Sequence, residues 1–72
     1  MTDREWIDAF AAALGTTPPS DTEFAQILEL AGVAAHASQR TAAPVACWLA
    51  ARSDRDLDEA LTTAKGISPA SG

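Results

Sequence analysis

The sequence predicts an all-α protein: a compact bundle of about four short helices with no sheet. Three observations predict it. Apolar residues recur at three- and four-residue steps, never in sustained alternation. Capping motifs, glycines and prolines divide the chain into four segments. Alanine, the best helix former, supplies 17 of the 72 residues.

Thr2-Asp3-Arg4-Glu5 has the spacing of a capping box, in which the hydroxyl accepts an amide and the carboxylate reaches back. A first helix is therefore expected over 3–14, with Trp6, Ile7, Phe10, Ala13 and Leu14 as its apolar stripe. Gly15 is placed to close it in the left-handed conformation, and Thr16-Thr17-Pro18-Pro19 is a stiff linker that cannot continue it. Ser20-Asp21-Thr22-Glu23 repeats the box, and the proline-free stretch 22–39 reads as the longest helix. Phe24, Ile27, Leu28, Ala31, Ala34, Ala35 and Ser38 share one of its faces. Glu29, His36 and Arg40 lie opposite. So broad an apolar face suits a central helix.

Pro44 disfavours helix at Ala43 but fits the first turn of a new helix, expected over 44–52, with Val45, Trp48, Leu49 and Arg52 along one side. Ser53-Asp54-Arg55-Asp56 offers a capping side chain and early acids, so the fourth helix is expected over 54–65, ended by Gly66. The tail, 67–72, is expected to fray. The chain is read as a single domain, 1–72, for at this length only about 60% of the unfolded surface is buried on folding. The large anchors Trp6, Phe10, Phe24, Ile27, Leu28, Trp48, Leu49, Leu57 and Leu61 are expected to fill the core, and Trp6 or Trp48, if exposed, would mark a contact surface.

Composition excludes several functions. Ten acidic against five basic residues give a formal charge of −5, and no basic cluster offers a footprint for a phosphate backbone, so no nucleic-acid partner is expected. No apolar run approaches the ~20 residues of a membrane span, and the start lacks the pattern of a signal peptide. The expected location is the cytoplasm. Cys47 and His36 are the only soft or imidazole ligands, too few for a zinc site within one chain. No metal and no cofactor are expected. Asp54, Asp56, Asp58 and Glu59 resemble a calcium loop only superficially: the position that needs glycine is Glu59 and the one that needs a bidentate glutamate is Lys65.

Nor is there a catalytic set. A Cys–His nucleophilic pair needs its thiolate beside the imidazole, whereas Cys47 sits between Ala46 and Trp48 and reads as packing. No phosphate loop, nucleophile elbow or closely spaced pair of carboxylates in an otherwise apolar setting is present. The polar face of the second helix is the remaining candidate. Glu29 lies two turns before His36, and Arg40 one turn after it. Arg40 could act as a forked donor and His36 as a hydrogen-bonding partner toward an anion or a carboxylate. A solvated helix face accounts for the same residues.

The stretch Val33-Ala34-Ala35-His36-Ala37-Ser38-Gln39-Arg40-Thr41-Ala42-Ala43-Pro44, preceded by Glu5-Trp6-Ile7-Asp8 in the first helix, resembles a small actinobacterial helical domain family of unknown function. Members are found alone or attached to a nucleotidyltransferase similar to the molybdenum-cofactor guanylyltransferase. The resemblance covers nearly the whole chain, and His36, Arg40, Ala42, Ala43 and Pro44 match residue by residue. After Pro44 this chain departs from it, with Val45-Ala46-Cys47-Trp48-Leu49 and a charged continuation. The resemblance implies a non-catalytic accessory or protein-interaction module in molybdenum-cofactor (guanine dinucleotide) maturation, with a nucleotidyltransferase or a molybdoenzyme as partner. Its contact surface would be His36, Arg40, Glu29 and the Ala42-Ala43-Pro44 turn. Two other readings stand beside it. In one, His36 and Arg40 hold a small anion or nucleotide, with pH-dependent affinity and a polar hollow beside Gly32. In the other the chain is a self-associating helical bundle, a homodimer, since an alanine-rich core of this size often needs a second copy.

Overall fold

The capping signals act where the sequence places them. In the structure, a computed structural model that describes residues 1–67, Thr2 accepts the amide of Glu5 and the Glu5 carboxylate accepts the amide of Thr2. Ser20 and Glu23 repeat that exchange. Four helices follow in order: α1 (Asp3–Leu14), α2 (Asp21–Ala37), α3 (Ala42–Arg52) and α4 (Leu57–Lys65). No strand occurs among the described residues. The protein is all-α. Gly15 closes α1 at φ 77°, a left-handed conformation in which any side chain would be strained, and its amide reaches back to Ala11 and Ala12.

Four boundaries differ from expectation, the start of α2 by one residue and the others by two or three. α2 begins at Asp21 and stops at Ala37 rather than 39, because the Ser38 hydroxyl donates to the Ala34 carbonyl and the backbone leaves the helical region there. α3 begins at Ala42, two residues before Pro44. The Ala42 and Ala43 amides donate to the Gln39 and Arg40 carbonyls, so proline falls within the first turn, where its missing donor is not needed. α4 begins at Leu57 rather than 54. Asp56 is the residue that accepts the Glu59 amide, while Ser53 is occupied in closing α3, donating to the Ala50 carbonyl. The tail expected to fray lies outside the described residues except for Ile67, which is exposed.

α2 is the central helix, as its broad apolar face implies, and α3 and α4 pack along it. The α4 side is fixed at both ends by polar contacts: Gln26 donates to the Asp58 carboxylate, and Lys65 pairs with Glu29 at 2.7 Å. α3 lies along the neighbouring side, with the Cys47 thiol 3.8 Å from the Ile27 carbonyl. α1 is attached differently. Its Arg4 guanidinium donates to the Pro19 carbonyl, lies 4.9 Å from the centre of the Phe24 ring, and is within 3.4 Å of Asp21 and 3.5 Å of Asp8. This holds the start of α1 beside the start of α2. Residues 15–19 must therefore run back along the helix they leave.

The core is where expectation fails most. Only Ala11, Leu30 and Leu61 are buried among the described residues. Phe24, Ile27 and Leu57 are half-buried. Trp6, Phe10, Leu28, Trp48 and Leu49, all expected inside, are exposed, with Trp6 at 54% and Trp48 at 57%. The reason lies in which faces the helices turn inward. α1 turns in Arg4, Ile7 and Ala11, the side next to its aromatic stripe. α3 turns in Ala43, Ala46, Cys47 and Ala50. Small side chains let α3 approach α2 closely, and the large ones are left pointing away.

Candidate functional site

The inversion of small and large residues creates two exposed apolar stripes. On α1, Trp6, Phe10 and Leu14 recur at four-residue steps, and the Trp6 and Phe10 rings lie 5.1 Å apart between centroids, tilted by 35°. On α3, Val45, Trp48 and Leu49 occupy the outer side, and Arg52 lays its guanidinium over the Trp48 ring at 4.7 Å. Leu28 of α2 is exposed as well. Most of each stripe lies in an uncharged stretch, although Trp6 stands between Glu5 and Asp8 and Arg52 lies over Trp48. No charged residue occurs between Asp8 and Asp21, nor between Arg40 and Arg52. Single exposed apolar residues are ordinary on any protein, but here each stripe groups one tryptophan with two other large apolar residues at helical spacing.

The polar candidates are placed, but only partly gathered. His36 and Arg40 are exposed at the end of α2 and in the α2–α3 corner, and the amide bonds of Ala42 and Ala43 fold that corner into tight successive turns. Ala42 and Ala43 are half-buried, while Pro44 is exposed. Glu29 belongs elsewhere: its carboxylate is held by Lys65, because α4 lies on that side of α2. A shallow hollow of ≈ 390 Å³ in the corner is lined by Ser38, Gln39, Thr41, Ala42 and Val45. A larger groove of ≈ 730 Å³ runs from Pro18 and Pro19 past Ile27, Leu30 and Cys47 to Asp56 and Leu57. Neither hollow is lined by His36, Arg40 or Gly32. The groove was not foreseen, because it forms where the 15–20 linker, α2, α3 and α4 converge from distant parts of the chain.

Cys47 faces that groove from the inner side of α3. Burial raises its thiol above the ordinary cysteine range, so little thiolate forms at neutral pH. The reading of Cys47 as packing therefore predicts that a maleimide or disulfide reagent at pH 7.5 labels the folded chain several-fold more slowly than the same chain in denaturant. Equal rates in both would show the thiol to be free and reactive.

Among the described residues no helix is long and apolar enough to cross a membrane. The fold and the exposed stripes thus define a small all-α domain in which both tryptophans and several other large apolar residues are displayed rather than enclosed. Residues 2–68 match a family described as a domain of unknown function (DUF6457), and the chain belongs to that family. No curated protein matches it, and no solved structure does.

Proposed function

We propose that this chain is a non-catalytic accessory module that works by docking to other proteins. The observation that supports this reading is the display of Trp6, Phe10 and Leu14 on α1 and of Val45, Trp48 and Leu49 on α3. A domain of 72 residues has few large side chains, and one that stood alone would turn them inward. The α2–α3 corner adds a polar element: His36 and Arg40 stand exposed beside the small residues Ala42 and Ala43 and the rigid Pro44, where a partner's backbone can approach closely. Arg40 offers forked donors suited to a carboxylate.

The setting proposed for this module is molybdenum-cofactor (guanine dinucleotide) maturation, with a nucleotidyltransferase or a molybdoenzyme as the partner at the corner. The motivation is the resemblance carried by the His36-to-Pro44 stretch. The test is a pull-down of the tagged chain from its native cell extract beside the His36→Ala/Arg40→Ala double variant. Molybdenum-cofactor proteins should be enriched with the parent chain and lost with the variant. Their absence from both would overturn the setting, and enrichment that survives in the variant would remove the corner as the contact.

A further inference from the structure

We infer that the apolar stripes of α1 and α3 are the interface of a symmetric homodimer, in which each copy's Trp6–Phe10–Leu14 stripe seats on the Val45–Trp48–Leu49 stripe of the other. This rests on the interaction-module reading and assigns the occupant of its apolar surface, leaving the His36–Arg40 corner to a different protein.

Area is the first argument. The chain exposes 5463 Å², whereas a folded monomer of its 7.5 kDa exposes about 4,250 Å². A folded chain of the mass of the other residues exposes about 4,100 Å², and even with ~600 Å² set aside for residues 68–72, the most that extended chain of their mass could expose, those other residues stand above it by about 800 Å². That is the area one partner buries in an interface of ordinary size, about 800 Å². The radius of gyration agrees in sense, at 13.1 Å against about 11 Å for a compact chain of this length. The displayed surface is thus of the amount a dimer needs.

Charge is the second. Each copy carries −5, so two copies repel except where their surfaces are uncharged. The stretches 9–20 and 41–51, which carry most of both stripes, hold no charge of either sign. A foreign partner recruited to an acidic protein by its charge would be met by acidic groups, and Phe10, Leu14 and the whole of the α3 stripe have none beside them in the chain.

The test is sedimentation equilibrium of the 72-residue chain from low micromolar to about 1 mM, with tryptophan emission followed across the same dilution. The expected mass is that of two chains, with emission shifting to the blue as Trp6 and Trp48 leave water. The thermal midpoint should rise with concentration. Trp48→Lys and Phe10→Lys should each weaken association by about 30-fold or more, the size of a hot-spot loss, while His36→Ala/Arg40→Ala leaves it unchanged. Added salt should tighten the dimer by screening the acidic copies. A monomer throughout the range with a midpoint independent of concentration overturns the inference, as does a dimer indifferent to both stripe variants or one that salt dissociates. If a variant does not fold, the parent chain's concentration dependence decides. A monomeric chain that still captures its partner through the corner would sink the homodimer and leave the docking module standing.

Discussion

Leu30→Ala should cost about 2–5 kcal/mol and lower the thermal midpoint by roughly 10–25 °C, enough to leave much of the chain unfolded at physiological temperature. Leu30 is 3% exposed, the most deeply buried side chain of the molecule's described part, and it lies on the helix against which α3 and α4 both pack. Truncation removes its transfer free energy and opens a cavity beside Ile27 and Cys47. A chain of this length has about 4–11 kcal/mol of stability in all, and little else in this core can compensate, since Ala11 and Leu61 are the other buried ones among the described residues. Leu28→Ala supplies the comparison. It is the same chemistry two residues earlier on α2, at a position that is exposed. Measured by helical circular dichroism at dilutions where the chain is monomeric, its midpoint should move by only a few degrees. Equal losses at the two positions would show the assignment of the core to be wrong.

The contrast between Leu28 and Leu30 shows where sequence reasoning stopped. The helices were legible because their signals are local. Thr2 with Glu5, Ser20 with Glu23, and Gly15 each act within four residues of themselves, and the structure uses all of them as the spacing implies. The start of α4 was misplaced by three residues because Ser53 and Asp56 are both able to cap, and the choice depends on Ser53 being engaged by Ala50. Burial was not legible. In α1 the stripe of Trp6, Phe10 and Leu14 and the inward line of Arg4, Ile7 and Ala11 are both plausible inner faces, and the linker and the Arg4 contacts decide between them. In α3 an alanine face and a tryptophan face compete, and close approach to α2 selects alanine. The candidate site fared likewise. His36 is exposed at the end of α2, but Arg40, expected one turn further along the same helix, lies beyond it because the helix stops at Ala37, and Glu29 was separated from both by Lys65, whose proximity no local pattern records.

Arg4→Met should release α1 from the rest of the chain while leaving α2, α3 and α4 folded. Arg4 is the main polar tie: it donates to Pro19, stacks on Phe24, and stands near Asp21 and Asp8. The pair with Asp21 contributes little, because that carboxylate is fully exposed. The weight rests on the charged hydrogen bond to the Pro19 carbonyl and the ring contact, together about 1–2 kcal/mol at a site about one-third exposed. Methionine keeps much of the apolar stem and removes the donors. Hydrogen exchange should then show faster exchange of amides 6–14 with little change in α2, and Trp6 should be the more readily quenched of the two tryptophans. Acid should loosen the same helix. Hydrogen bonds from the Thr2 backbone and side chain hold the Glu5 carboxyl below the ordinary range. Its contribution is therefore present above the unfolded value of about 4.3 and is lost as pH falls through the lower folded one. Uniform exchange across all four helices in Arg4→Met would mean instead that α1 and the other helices unfold as one unit, and that the tie at Pro19 and Phe24 is part of the main cooperative core.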